Sequence, residues 1–139
     1  MPPKRVLFLC TGNSCRSQMA EAIVNHFVPH QWTAFSAGTQ PTGYVHPLAL
    51  QVLAEIGIQH QGTSKSVEVF RGQPFDQVIT VCGDAEENCP VWLGKGIRKH
   101  IGFPDPAKAA GSPEEVLAVF RQVRDDMQNR VLEYLKSLQ

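Results

Sequence analysis

Apolar residues along the chain fall into two alternating patterns. Short apolar runs occur at Arg5 to Leu9, Thr33 to Ala37 and Asp76 to Val81. Such runs fit strands covered on both faces of a parallel sheet. Val78, Ile79 and Val81 are β-branched, which favours extended chain. A shorter strand is predicted at Arg98 to Gly102. Between these runs the spacing turns helical. Met19, Ala20, Ile23, Val24 and Phe27 share one helix face, and Leu48, Val52, Leu53 and Ile56 share another, with Gly57 as a stop signal. Ser112-Pro113-Glu114-Glu115 predicts a helix start with an N-cap, a proline in first position and a capping-box glutamate. Val116, Phe120, Val123, Met127, Val131 and Tyr134 continue that helix along one face. Strands alternating with helices predict an α/β layer fold with a mainly parallel sheet. Ligands of such sheets sit beyond the carboxyl ends of strands, where Cys10 and Cys82 both fall.

The 139 residues fit a single domain, 1–139, long enough to bury a core without disulfide staples. Thirteen basic residues balance thirteen acidic ones, so no nucleic-acid or membrane partner is expected. No apolar run approaches the ~18 residues of a membrane helix. The four apolar residues between Arg5 and Cys10 are too few for a signal peptide. The expected location is therefore cytoplasmic. Thiols stay reduced there, so four cysteines point to catalysis, redox work or metal binding rather than staples.

Cys10-Thr11-Gly12-Asn13-Ser14-Cys15-Arg16-Ser17 is the most informative stretch. A cysteine ends a strand, five residues intervene, and an arginine opens a helix. Gly12 is expected to supply positive φ, so that loop N–H groups converge on one point. The helix start adds N–H groups and partial positive charge, and Arg16 offers a planar fork to a tetrahedral oxyanion. The same surroundings favour a thiolate. A helix N-terminus beside arginine can bring a thiol from ~8.5 down to ~3.5–7.5. The hydroxyl of Ser17, and with it that of Ser14, can donate to the Cys10 sulfur.

On these residues the chain resembles the low-molecular-weight protein tyrosine phosphatase superfamily. Cys10 to Glu21, Ser36-Ala37-Gly38, Cys82 with Cys89-Pro90, and Gly102-Phe103-Pro104-Asp105-Pro106-Ala107 resemble its thioredoxin-coupled arsenate reductases. The resemblance implies a three-layer α/β fold, a four-stranded parallel sheet flanked by helices. It also implies oxyanion binding by Thr11, Gly12, Asn13, Ser14, Cys15 and Arg16, and Asp105 as a general acid, typically worth ~10²–10⁴-fold. Asp-Pro is also a common turn dipeptide.

Arsenate and phosphate are near-isosteric, so the loop alone leaves two reactions open. A phosphatase needs only Cys10, Arg16 and Asp105. A reductase must also move two electrons, and the resemblance assigns that to Cys82 and Cys89. Cys10 attacks arsenate, Cys82 attacks Cys10, and Cys89 attacks Cys82; thioredoxin then reduces the Cys82–Cys89 disulfide, with glutaredoxin and a small thiol as the alternative reductant. Phosphate or sulfate would compete with arsenate. Two core thiols or a zinc site are the other readings of the pair, although Cys10-x₄-Cys15 and Cys82-x₆-Cys89 match no common zinc spacing. Seven helical residues span about 10.5 Å, whereas disulfide-linked Cα atoms lie within roughly 7 Å. A helix between Cys82 and Cys89 would therefore unwind on oxidation. No aromatic residue follows Asp105-Pro106, which suits an inorganic anion better than an aryl ester. Cys15 reads as a packing residue.

No cofactor is expected, and a monomer is the family expectation. Some thioredoxin-coupled members bind potassium behind the loop through Asn, Glu, Ser and Asp side chains. Asn13, Glu21 and Ser36 fill three of those positions, and Lys65 falls at the fourth. The expectation is no bound metal, with the Lys65 ammonium in its place. His26, His30, His46, His60 and His100 read as surface or packing residues; Trp32 and Trp92 carry no assignment.

Overall fold

The computed structural model describes residues 2–83, 92 and 94–138. Four strands form one parallel sheet in the order β2-β1-β3-β4: β1 (Lys4–Cys10), β2 (Trp32–Gly38), β3 (Gln77–Thr80) and β4 (Ile97–His100). Helices α1 (Arg16–Phe27), α2 (Pro47–Glu55) and α3 (Pro113–Ser137) connect and cover them. The α/β class and the parallel sheet expected from the hydrophobic pattern are both present.

Strand alternation divides the core in two. Val6, Phe8 and Cys10 of β1 point toward buried residues of α1, α2 and α3, including Met19, Leu53, Phe120 and Met127. Leu7 and Leu9 point the other way, onto Phe70, Phe75 and Trp92. Among the described residues, then, all three α-helices lie on one face. A short 3₁₀ turn (Val67–Phe70) and aromatic side chains cover the other.

Helix α3 starts as its sequence predicts. Ser112 Oγ accepts from Glu115 N, the Glu115 carboxylate accepts from Ser112 N, and Pro113 occupies the first turn. Strands β3 and β4 each differ from the apolar pattern at both ends: β3 leaves out Asp76 and Val81, and β4 begins at Ile97. Asp76 stays outside β3 because its Oδ2 accepts from Arg5 N at 2.7 Å. Strand β4 ends at His100 rather than Gly102, yet Ile101 N still donates to Thr80 O and Phe103 N to Val81 O. That continued pairing carries the chain up the sheet edge to Asp105.

Candidate active site

Cys10 is the last residue of β1, and Arg16 is the first of α1. The loop between them is braced from outside. Gln40 N donates to Thr11 O, Thr42 N to Gly12 O, and His46 N to Ser14 O, at 2.9–3.1 Å. With its carbonyls held outward, the loop turns N–H groups inward, and Asn13 N donates to Cys10 Sγ at 3.2 Å. The positive φ expected at Gly12 is found at Asn13 instead, where φ is 48°. Asparagine tolerates the left-handed region better than most side chains. Gly12 serves by its size: a Cβ there would come within 3.2 Å of Thr42 Cγ2.

Cys10 is buried and its thiol is free. Ser17 Oγ lies 2.8 Å from the sulfur, and Asn13 Nδ2 donates to the same hydroxyl at 2.8 Å. A hydroxyl has one proton. Accepting from Asn13 leaves Ser17 its own proton, which it donates when Cys10 is a thiolate, since a thiolate can only accept. Ser14, expected to do likewise, lines the cavity beside Cys10 and Cys15. Helix α1 has no side-chain cap and no acidic residue in its first turn, an arrangement that suits an anion.

The Arg16 guanidinium is buried; its Nη1 donates to Phe103 O at 3.2 Å, and its Nη2 stands 3.7 Å from Asp105 Oδ2. The other Asp105 oxygen accepts from Ala107 N at 3.0 Å. Cys10, Cys15, Arg16 and Asp105 line a cavity of about 140 Å³. Cys15 is a thiol in its wall. Burial, then the nearby Asp105 and Cys10, push it up to about 12, which agrees with a packing role.

Three cavity-lining residues escaped the sequence reading. Thr42, Tyr44 and His46 come from the segment after β2. His46 is the N-cap of α2, its Nδ1 accepting from Leu48 N at 3.1 Å. Among the described residues, Ala107 after Asp105 brings no aromatic ring to the cavity, as the sequence suggested, but Tyr44 supplies one from the segment after β2. An unusual capping histidine before Pro47 was the available signal.

Cys82 is buried just past β3, in the same packed cluster as Cys10, Cys15 and Phe103, and it is disulfide-bonded. The next residue borders the site: a Cβ built at Gly83 would lie 3.6 Å from Arg16 Nη1. Cys89, and with it the expected helix between the two cysteines, lies outside the described residues.

Behind the loop, Ser36 Oγ donates to Glu21 Oε1 at 2.9 Å, and Lys65 Nζ stands 4.0 Å from the same oxygen. The Lys65 backbone N–H donates to Asn13 Oδ1 at 2.9 Å. His60, expected at the surface or in packing, joins this group instead: its Nε2 lies 2.8 Å from Gln18 Oε1 and 3.9 Å from Glu21 Oε2. Burial pushes Glu21 up and Lys65 down from their ordinary values, and each opposes the other's shift. Burial, then Lys65, also lowers His60. Among the described residues, no three His, Cys, Asp or Glu side chains cluster as metal ligands, and no helix is long and apolar enough to cross a membrane.

A cysteine sulfur fed by N–H and O–H donors, with an arginine and a carboxylate across a small cavity, defines the class of cysteine-dependent enzymes that act on tetrahedral oxyanions. The chain belongs to the low molecular weight phosphotyrosine protein phosphatase family, whose pattern matches residues 5–139. Within reach of that family, it is 45% identical over 132 residues to an arsenate reductase of Halalkalibacterium halodurans, covering 94% of each chain. A solved arsenate reductase in its phosphate-binding state is 31% identical with a TM-score of 0.78, covering 98% of this chain and 99% of that one. A thioredoxin-dependent arsenate reductase of Corynebacterium glutamicum is 27% identical with a TM-score of 0.69, covering 99% of this chain and 62% of that one.

Proposed function

We propose that this chain is an arsenate reductase that works by a Cys10–Cys82–Cys89 relay and is re-reduced by thioredoxin. One observation carries the choice of a reductase over a plain phosphatase. A second redox-capable cysteine, Cys82, sits in its disulfide form in the same cluster as the free Cys10. Phosphoester hydrolysis has no use for it. The family membership and the arsenate reductases among the relatives support the same reading.

The chemistry follows from the cavity. Arsenate enters against the loop and Arg16, and the Cys10 thiolate attacks arsenic. An S–As bond forms and an As–O bond breaks, with Asp105 delivering the proton that lets the oxygen leave as water. The Cys82 thiolate then attacks Cys10 sulfur. The S–S bond forms as the S–As bond breaks, and arsenic keeps the electron pair and departs as arsenite. Cys89 attacks Cys82, releasing Cys10 as a thiolate. The dithiol of thioredoxin reduces the Cys82–Cys89 disulfide. Such a relay needs a reducing compartment, which supports the cytoplasm as its location.

The test is arsenate-dependent NADPH oxidation with purified protein, thioredoxin and thioredoxin reductase, beside a Cys82→Ser variant. Turnover lost in the variant is expected. Absent turnover, together with aryl phosphate hydrolysis that survives Cys82→Ser, would replace this reading with a phosphatase. Tyr44 at the cavity gives that second reading its one specific support, since a phenolic ring can pack against an aryl ester.

A further inference from the structure

The polar groups behind the loop form one directional hydrogen-bond chain, and backbone atoms fix its direction. Lys65 N is a donor only, so the Asn13 atom that it meets at 2.9 Å is the amide oxygen. The Asn13 NH₂ therefore faces Ser17. Thr63 O is an acceptor only, so the Gln18 atom 3.0 Å away is nitrogen. That same nitrogen donates to Asn13 Oδ1 at 2.9 Å. Gln18 Oε1 is left facing His60 Nε2 at 2.8 Å, and His60 must donate.

The chain thus runs from His60 to Gln18, Asn13 and Ser17, each proton pointing toward the next group, and ends with the Ser17 proton turned to the sulfur of a Cys10 thiolate. Neutral His60 takes part as its Nε2–H tautomer, and an imidazolium would donate at the same nitrogen. The direction does not depend on the charge of His60, although Glu21 Oε2 at 3.9 Å and the Lys65 ammonium both face this group.

The outer end is built for this contact. Gln18 is fully buried and the His60 side chain is only 7% exposed. Gly62 lies under both: a Cβ there would fall well inside contact distance of Gln18 Oε1 and His60 Nε2. Only glycine lets the His60 ring fold back onto Gln18.

We propose that Gln18 and His60 are positioning residues that hold the Asn13 amide in the orientation which makes Ser17 a donor to the Cys10 sulfur. Neither touches substrate. Should the Asn13 amide turn over, its oxygen would take the Ser17 proton, and the sulfur would lose a donor. The inference rests on the proposed role of Cys10 as nucleophile, but its test does not require arsenate.

The measurement is the alkylation rate of Cys10 in the reduced full chain by iodoacetamide, followed on the Cys10 peptide by mass spectrometry at mildly acidic and at alkaline pH. Gln18→Glu sets a carboxylate against Asn13 Oδ1 and Thr63 O. It should slow acid-side alkylation roughly tenfold, in proportion to a charged hydrogen bond, and leave the alkaline rate unchanged. His60→Leu should slow the acid side roughly threefold, the scale of one neutral hydrogen bond. His60→Gln, whose amide can donate from a similar place, should restore the native rate. Native rates at both pH values in a folded His60→Leu protein would overturn the proposal. So would equal slowing at both pH values in His60→Leu and His60→Gln, which would mean packing alone. If Gln18→Glu fails to fold, the two His60 variants decide. Because alkylation uses neither arsenate nor thioredoxin, the relay can fail while this chain stands, and the reverse.

Discussion

Lys65 Nζ stands 4.0 Å from Glu21 Oε1, on the same oxygen that accepts from Ser36 Oγ. The ammonium also donates to Thr63 O at 2.7 Å. A tethered cation therefore occupies the neighbourhood of Asn13, Glu21 and Ser36, where some thioredoxin-coupled relatives are expected to hold potassium. Turnover and melting temperature should be the same in potassium and sodium salts of equal ionic strength. Lys65→Asp, which exchanges the cation for a carboxylate, should make melting temperature rise with potassium. A potassium-specific rise in the native protein would count against the replacement.

Gly38 closes the other side of the loop. A Cβ built there would lie 2.5 Å from Thr11 O and 2.9 Å from Cys10 O, both backbone atoms that cannot swing aside. Gly38→Ala should destabilise the protein by about 1–3 kcal/mol, the usual range for overpacking, and slow arsenate turnover more than tenfold by displacing the Cys10 loop. Denaturant melts and steady-state rates read the two effects. A variant that keeps both native values would show that the loop yields easily.

Tyr44 is 57% exposed and lines the cavity without belonging to the loop. Tyr44→Ala should change stability by less than about 0.5 kcal/mol, as at most surface positions. Hydrolysis of an aryl phosphate should fall about threefold to tenfold, as expected for one aromatic contact, while arsenate reduction changes little. Equal losses in both reactions would instead make Tyr44 part of oxyanion binding.

Glu55 joins α2 to α3. Arg121 donates to both of its oxygens at 2.7–3.1 Å, and Arg124 Nη1 adds a bond to Oε1 at 2.8 Å. The Arg121 hydrogen bonds, with Arg124 behind them, hold the carboxyl below its ordinary range against partial desolvation. A carboxyl lowered by folding stabilises above its unfolded value of about 4.3, and that contribution fades as pH falls through the folded value. Glu55→Gln should melt about 3 °C lower at neutral pH, with the gap closing below about pH 4. A gap that persists in acid would assign the effect to packing.

The sheet, the three helices and the Cys10 loop were legible because each depends on local spacing. The buried runs around Val6 and Val78 and the Ser112 capping box name their own structures. Asp105 was legible only as a motif. Its meeting with Arg16 depends on Ile101 and Phe103 continuing to pair with the β3 end. The left-handed residue was misplaced because glycine is the usual candidate, whereas outside bracing put the strain at Asn13. His60, Gln18 and Tyr44 were invisible as site residues. His60 and Gln18 meet across 42 positions and Tyr44 reaches the cavity from another segment, and no periodicity connects a histidine at 60 with a glutamine at 18.

Helix α1 begins with neither a capping side chain nor an acidic residue in its first turn. An oxyanion in the cavity would do the work of that cap, so substrate occupancy and fold stability become linked quantities. An anion at about 100 times its dissociation constant adds about 2.7 kcal/mol to the folded state. The melting curve is then a gauge of what the cavity holds, and arsenate, phosphate and sulfate can be ranked on it without any turnover. Each anion that competed with arsenate for the cavity would then also act as a temporary structural member of the fold.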